Sequence, residues 1–264
     1  MLKITNTENL TGITITGTYE DINELYESIG RVVGSGLEID NDSMPFIRIL
    51  GVNYDLRHCF MGDREVTFVD NDYFSDLQKY HGKIHPETNV EFSVSIVWHE
   101  AMFAALALDD YIIIHEDDKR FKNKLAIPEL HEMLIEEFHR NRYKDIAMVR
   151  LYQELIWEAF REATTDAAYK RLRKKSKEGQ DVYYKSFNYT DFTTQFITIL
   201  EMKYIHTEPE KRSKLLATHI GKIIKQSDDY QKVAREVREV AHEHGISPGD
   251  VQYANEEWPE YLEW

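Results

Sequence analysis

Strand-forming patterns in this chain are confined to its first 118 residues. Beyond Asp118 the apolar residues recur at helical spacing. Helices are indicated at roughly 128–142, 145–176, 190–205, 209–226 and 229–244. Because no Gly/Ser/Pro-rich linker separates the two parts, we expect them to pack together. The sequence therefore predicts an α+β protein, with an antiparallel sheet and covering helices in 1–118, a helical bundle in 119–264, and an acidic, aromatic tail at 246–264.

The first part opens with two short strands, Leu2–Thr5 and Gly12–Thr16. Between Phe46 and Phe60 the apolar residues fall mainly on alternate positions, as in a half-buried strand. Turn residues follow, and then Glu65–Val69 resumes the alternation. A β-hairpin is the simplest interpretation, and a short helix through Tyr54–Met61 is the alternative, since periodicity separates the two poorly over so few residues.

The remaining elements of the first part are a helix over 22–33, a strand at Val90–Trp98, a short helix at Glu100–Leu108 and a last strand at Tyr111–His115. In the second part, the helix at 145–176 carries apolar residues round most of its circumference. Such a helix is normally buried, so we place it at the centre of the helical half.

Composition excludes several classes of protein. No apolar run approaches the roughly 18 residues needed to cross a bilayer, and the N-terminus lacks the charged, apolar and small-residue order of a secretory signal. The single Cys59 cannot form an internal disulfide. We therefore expect a cytoplasmic protein without a membrane partner.

The net charge of -15 comes entirely from residues 1–118, which carry 7 Lys+Arg against 22 Asp+Glu, whereas 119–264 carry 25 of each. An acidic surface repels phosphate backbones, so nucleic acid is disfavoured as a partner of this part. The charge instead favours a protein partner that docks on the acidic N-terminal surface.

One basic cluster stands out, at 170–177. Its binding candidates are Lys170, Arg171, Arg173 and Lys174. A basic patch can bind phosphates or an acidic partner. Cations are also favoured at a helix C-terminus by the helix dipole, and a solvated helix end explains the cluster without any ligand.

The densest polar segment is 54–65, in which Asp55, His58 and Asp63 could serve as catalytic acid and base. Arg57 and Arg64 of the same segment could bind a substrate. The competing interpretation is a lattice of ion pairs that closes the predicted hairpin.

Glu154 and Glu158 are a second candidate acid–base pair. They lie one turn apart on the helix predicted to be the most buried, where a low dielectric raises the pKa of a carboxyl group. Alternatively, a narrow stripe of that helix reaches solvent and carries both residues.

No metal site and no cofactor are predicted. Glu136 with His139 and Glu239 with His242 have the Glu-x-x-His spacing of di-metal helices, but the helical period places both pairs opposite the apolar stripes. The sequence contains no nucleophile elbow, phosphate loop or dinucleotide fingerprint.

Three blocks, 6–26 with Thr11–Ile15, 54–65, and Val97–Glu100, resemble a family of uncharacterised bacterial proteins that share a domain of unknown function. The resemblance covers patches of residues 1–118. It implies a bacterial cytosolic origin, and it assigns no activity and no functional residues.

The sequence leaves three functions open. The first is a non-catalytic binding or regulatory protein that uses its acidic N-terminal surface. The alternative is a hydrolase-type enzyme with a carboxylate/histidine site, which requires Asp55, His58 and Asp63, or Glu154 and Glu158, to converge in one pocket. The third is nucleic-acid binding through 170–177.

Overall fold

The computed structural model describes residues 1–34, 43–71, 86–116, 128–177, 189–252 and 258–264, and for 128–140 it describes the helical backbone alone. The strands are β1 (Lys3–Asn6), β2 (Gly12–Gly17), β3 (Glu65–Asp70) and β4 (Thr88–Val97). The helices are α1 (Tyr19–Val33), α2 (Met44–Phe60), α3 (Trp98–Glu116), α4 (Pro128–Ala163), α5 (Asp166–Lys177), α6 (Gln195–Ile205), α7 (Pro209–Lys225) and α8 (Asp228–His244), followed by a 3-10 turn at Pro248–Asp250.

The four strands form an antiparallel sheet in the order β1-β2-β4-β3. Ile13 and Ile15 of β2 are fully buried on one face. On the other face the hydroxyl groups of Thr14 and Ser95 lie 3.0 Å apart, as cross-strand neighbours. Gly12 is required by this pairing, because a Cβ there would lie 2.0 Å from the carbonyl oxygen of Ile96. The α+β class with a helical C-terminal half is confirmed.

The prediction of a strand between Phe46 and Phe60 is wrong, because this segment lies within α2. Ile49, Val52 and Leu56 are buried at helical spacing. The alternative prediction, a short helix through Tyr54–Met61, named the correct type of secondary structure. β3 consequently pairs with β4 and not with the segment that precedes it.

The strand predicted at Tyr111–His115 is also wrong, since these residues continue α3, a single helix of 19 residues. Trp98, Phe103 and Tyr111 of α3 are fully buried, and the helix packs against the sheet and against α1, α2, α4, α6 and α7. The central buried helix is therefore α3. On α4, predicted to hold that position, Leu151 is exposed.

The two parts of the chain are joined by a charged contact between α1 and α4. Arg31 donates from Nε and Nη2 to the two carboxylate oxygens of the buried Asp145, at 2.9 and 2.8 Å. Ser28 donates a third hydrogen bond to the same carboxylate at 3.2 Å. A bidentate pair of this kind fixes the orientation of two helices as well as their separation.

The C-terminal helices α6, α7 and α8 agree closely with the predicted ranges. The helices predicted at 128–142 and 145–176 differ, because α4 continues through 142–145 and ends at Ala163, and α5 follows. Thr164 donates its hydroxyl hydrogen back to the carbonyl of Phe160 at 2.7 Å, a local bond that competes with helix continuation. The expected boundary at residue 118 lies outside the described residues.

Candidate functional site

A cavity of about 640 Å³ opens between α2, the end of β4, the start of α3, α6 and the C-terminal segment 258–264. Its polar lining residues include Arg48, Asp55, Glu100 and Glu201. Trp258, Leu262 and Trp264 form one wall. We call this space the carboxyl cavity, because two glutamates from different helices meet at it.

Arg48 of α2 holds the polar end of the cavity together. Its Nη1 atom donates to Oε1 of Glu100 and lies 3.9 Å from Oε2 of Glu201. Nη2 donates to the hydroxyl of Thr198 at 2.7 Å and to the carbonyl of Thr194 at 3.4 Å. With 12% of its side chain exposed, Arg48 is a largely buried cation whose donors are directed to α3 and α6.

The pKa values of the two glutamates are raised to different extents. Burial raises the pKa of Glu100, although the charge of Arg48 and a hydrogen bond from Glu201 counteract this effect. Burial raises the pKa of Glu201 well above its ordinary value, and the negative charge of Glu100 raises it further. The guanidinium of Arg48 therefore faces two carboxyl groups, and Glu201 is the one that holds its proton to the higher pH.

Glu201 also carries an unused polar atom. Only 1% of its side chain is exposed, and its Oε1 atom has no hydrogen-bond partner among the described residues. A buried oxygen without a partner is costly unless another group completes it. Because Glu201 lines the cavity, a ligand in the cavity could supply that hydrogen bond.

Gly51 lines the cavity from an exposed position on α2. It lies in the middle of α2, where glycine is less favourable than alanine by about 1 kcal/mol. Among the described residues, no atom lies within 4 Å of the position that its Cβ would occupy. Steric crowding therefore does not require glycine here, and a large side chain at 51 would extend into open space that borders the cavity.

The C-terminal wall is attached to the turn between β1 and β2. Asn9 donates from Nδ2 to the carbonyl of Trp264 at 3.0 Å, and the hydroxyl of Thr11 donates to the carbonyl of Glu263. The same Thr11 hydroxyl accepts a hydrogen bond from Nη1 of the buried Arg212 at 2.7 Å. These bonds place Trp264 at the cavity.

His99 precedes Glu100 on α3 and lies in a separate buried contact. Its Nε2 atom is 2.9 Å from Nδ1 of His219 on α7. Burial lowers the pKa of both rings, that of His219 to about 4, so both are neutral at neutral pH. A neutral imidazole has one N–H donor and one acceptor nitrogen, so one ring can donate to the other across this distance.

The predicted acid–base segment 54–65 lies at the end of α2 and in the turn that follows. Asp55 accepts a hydrogen bond from Arg64 at 2.8 Å and lines the carboxyl cavity. Nδ1 of His58 lies 2.7 Å from Oδ2 of Asp63 in an exposed pair. The guanidinium of Arg57 lies over the ring of Tyr54 at 5.2 Å. Of the predicted catalytic residues, Asp55 is the one that borders the cavity.

Glu154 and Glu158 point to solvent, with 58% and 59% of their side chains exposed. Glu154 is paired with Arg173, and Glu158 lies 3.6 Å from Arg161. Both are therefore on a solvated stripe of α4. The two glutamates and the 54–65 segment do not converge in one cavity.

The basic residues of α5 fall into two groups. Arg173 pairs with Glu154 and lies over the ring of Trp157 at 5.0 Å, which fixes α5 against α4. Lys170, Arg171 and Lys174 are exposed. Their role in binding stays a prediction.

Arg48, Glu100, Glu201 and Gly51 were not predicted. The available signal was a charged residue inside an apolar helix, since Glu201 follows Ile199 and Leu200 and precedes Met202. Glutamate is almost never fully buried unless it is paired. Its position in such a run therefore indicates either a partner or a site.

Neither a metal site nor a membrane span is found in the described part of the chain. No group of three or more His, Cys, Asp or Glu there could hold a metal ion. None of the helices described is both long and apolar enough to cross a bilayer. The side chains of Glu136 and His139 lie outside the described residues.

The described residues define an α+β protein with a four-stranded antiparallel sheet, eight helices and a carboxyl-lined cavity between α2, α3, α6 and the C-terminal segment. The chain belongs to the family of the domain of unknown function DUF6904, whose family model matches residues 2–264. The resemblance to a domain of unknown function is thereby confirmed, and the match covers nearly the whole chain where patches of 1–118 were expected. No curated protein and no solved structure matches the chain.

Proposed function

We propose that the protein binds a small molecule in the carboxyl cavity. The observation that carries this proposal is Glu201, which lines a cavity of about 640 Å³ and whose buried Oε1 atom has no hydrogen-bond partner among the described residues. Ligand sites combine an apolar lining with a few convergent polar groups whose pKa values are perturbed. Glu100, Glu201 and Arg48 supply such groups, and Trp258 and Trp264 supply the apolar wall.

A purely structural role explains less of the arrangement. The large majority of buried side-chain polar atoms in proteins have at least one hydrogen-bond partner. Here the pair formed by Arg48 and Glu100 is accompanied by a second, protonated acid with a free oxygen.

The test compares two variants at position 51. Gly51→Leu extends an apolar side chain toward the cavity, and Gly51→Ala adds a single methyl group at the same place. A library of small amines, alcohols, amides and acids is screened by saturation-transfer NMR against the native protein and both variants. Fragments that bind the native protein and Gly51→Ala, but not Gly51→Leu, support the proposal. Absence of binding, or binding unaffected by leucine, contradicts it.

A second candidate is an acid–base enzyme of the hydrolase type. The observation that favours it is the unequal protonation of Glu201 and Glu100, because a protonated acid beside a carboxylate is the arrangement that acid–base catalysis uses. Glu201 would give its proton to the leaving group, and Glu100 would take a proton from the attacking water. Asp55, one of the acid–base residues predicted from the sequence, also lines this cavity.

The catalytic candidate ranks second because Arg48 binds Glu100 directly, which reduces its basicity. Its test is hydrolysis of nitrophenyl esters and glycosides by the native protein and by Glu100→Gln and Glu201→Gln. Turnover that both substitutions abolish, with Gly51→Ala unchanged, would establish an enzyme. Equal background rates in all variants would exclude this chemistry for those substrates.

Docking of a protein on the acidic N-terminal surface is a further proposal, supported by the 22 Asp+Glu and 7 Lys+Arg in residues 1–118. We propose that this docking takes place in the cytoplasm of a bacterium, as the family resemblance and the composition imply. A partner of this surface would dissociate as salt is raised, because contacts between exposed charges are screened. Salt-independent capture would argue against it.

A further inference from the structure

We propose that the ligand of the carboxyl cavity carries a primary ammonium group on an apolar body, and that it binds in exchange for the proton of Glu201. This inference rests on the proposed function of the cavity. It names the chemical class of the ligand and the group that recognises it.

The charges at the polar end of the cavity support a cation. Arg48 contributes one positive charge, Glu100 one negative charge, and the protonated Glu201 none. If an ammonium group enters and Glu201 releases its proton, two positive charges face two negative charges. The charges at this end of the cavity therefore balance with and without the ammonium group.

An anion would meet the opposite situation. Both terminal nitrogens of Arg48 are already directed to partners, Nη1 to Glu100 and Nη2 to Thr198. The guanidinium thus has fewer donors left for the bidentate contact that a carboxylate or phosphate prefers. Glu100 and Asp55 would repel an anion in the same space.

The free oxygen of Glu201 is suited to an ammonium donor. An ammonium group has three N–H donors and no acceptor, and Oε1 of Glu201 lacks a partner among the described residues. The remaining donors could reach Glu100, a quarter of whose side chain is exposed. A hydrogen bond between two charged groups is about twice as strong as one between neutral groups.

The opposite wall fits an apolar body. Trp258 and Trp264 line the cavity together with Ile47 and Val52. Tryptophan is also the aromatic side chain with the strongest attraction for a cation. An aryl-alkyl amine combines the two requirements, with its ammonium group at Glu201 and its ring against the C-terminal segment.

The experiment uses three probes with one skeleton, phenylethylamine, phenylethanol and phenylpropionate, which are a cation, a neutral molecule and an anion near neutral pH. Binding is measured by calorimetry in two buffers that differ in ionisation enthalpy. We expect the amine to bind most tightly and to release up to about one proton per ligand. Glu201→Gln should weaken amine binding by about tenfold or more and abolish the proton release.

The matched control is Glu210→Gln, which removes one acid from the exposed start of α7 and leaves the cavity intact. It should leave amine binding and proton release unchanged. Equal or tighter binding of phenylethanol or phenylpropionate, with loss in Gly51→Leu, would overturn the inference and leave the proposed function standing. Amine binding that survives in Glu201→Gln, or that is absent from the native protein, would also overturn it.

Discussion

Nε2 of His99 lies 2.9 Å from Nδ1 of His219, and both rings are buried. Burial is the main cause of the lowered pKa of each ring. The charges of Lys222 and Lys203 add to it at His219, and those of His219 and Arg48 add to it at His99. The folded protein therefore keeps both rings neutral at a pH where exposed histidines are already charged.

The pair predicts a stability that falls with acid. Below the ordinary histidine value of 6.5 the unfolded chain takes up protons that the folded protein refuses until about pH 4. The free energy of unfolding should therefore fall as pH drops through this window, by about 2 kcal/mol for His219 between about pH 7 and pH 5. Above 6.5 the contribution is fully present.

Urea denaturation of the native protein and His219→Asn at both pH values measures this effect. The substitution should flatten the pH dependence, because asparagine retains a hydrogen bond but does not titrate. His244→Asn, at the exposed end of α8, is the control and should leave the slope as it is. An unchanged slope in His219→Asn would contradict the assignment.

Glu201 predicts a pH dependence of the opposite sign. Its pKa is raised well above the ordinary value of 4.5, so the folded protein holds a proton that the unfolded chain releases. Stability from this group falls as pH rises from 4.5 toward the folded pKa. Glu201→Gln imitates the protonated acid, and we expect it to be more stable than the native protein in mild alkali, with the difference shrinking in acid. A difference in unfolding free energy between the two proteins that grows in acid would contradict the protonation of Glu201.

Removing Arg48 should be strongly destabilising. Arg48→Met leaves the carboxylate of Glu100 without its partner, and loss of one member of a buried pair costs about 3–5 kcal/mol. The double variant Arg48→Met with Glu100→Gln should recover a large part of this loss, since it removes both charges. Equilibrium denaturation of the native protein, both single variants and the double variant gives the coupling energy, and a purely additive result would mean that the two residues do not interact.

The helical segment that borders the cavity shows why part of the fold was mispredicted. In α2, Ile49 and Val52 form part of a buried stripe, but Ile47 and Tyr54 are also apolar and face the cavity. These extra apolar residues produced the alternation that resembles a strand. Where local rules fail in a sequence, the cause is often a functional surface.

α3 failed for a different reason. It is buried on all sides, so it has no polar face from which a helical period can be read. The strands β1, β2 and β4 were predictable because one of their faces is buried and β-branched residues dominate them. The pairing of β4 with β3 and β2 could not be predicted, since it depends on contacts between distant parts of the chain.

The cavity itself was beyond the sequence for the same reason. Arg48, Glu100 and Glu201 lie on three helices, and their sequence separations exceed any motif spacing. The predicted acid–base candidates were chosen because they are close together in sequence. This choice identified Asp55 as a cavity residue. The other polar residues of the cavity are brought together by the tertiary contacts of α2, α3 and α6.

Gly51→Ala should raise stability. Alanine is favoured over glycine inside a helix by about 1 kcal/mol, and the added methyl group meets no atom of the described residues within 4 Å. Chemical denaturation should show this gain with an unchanged dependence on denaturant. Gly12→Ala is the contrasting variant, because its Cβ would collide with the backbone of Ile96, and it should be destabilised. Equal effects of the two substitutions would refute the geometric argument.

We predict that the C-terminal wall of the cavity depends on Arg212, a cation that does not line the cavity. It is 5% exposed and donates to the carbonyls of Thr207, Asn9 and Ile205 at 2.8, 2.8 and 3.0 Å, and to the Thr11 hydroxyl. Lysine cannot reproduce this fork of donors. Arg212→Lys should therefore destabilise the fold by about 3 kcal/mol, through loss of hydrogen bonds from a charged donor.

The same substitution should loosen the attachment of the segment that carries Trp264, because Thr11 joins Arg212 to the carbonyl of Glu263. Quenching of tryptophan fluorescence by acrylamide should increase in Arg212→Lys under conditions where the protein remains folded. Trp98 and Trp157 are buried in the core, so the increase would come from the C-terminal wall. Arg235→Lys, on the exposed face of α8, should change neither stability nor quenching. Destabilisation without increased quenching would separate Arg212 from the cavity and confine its role to the fold.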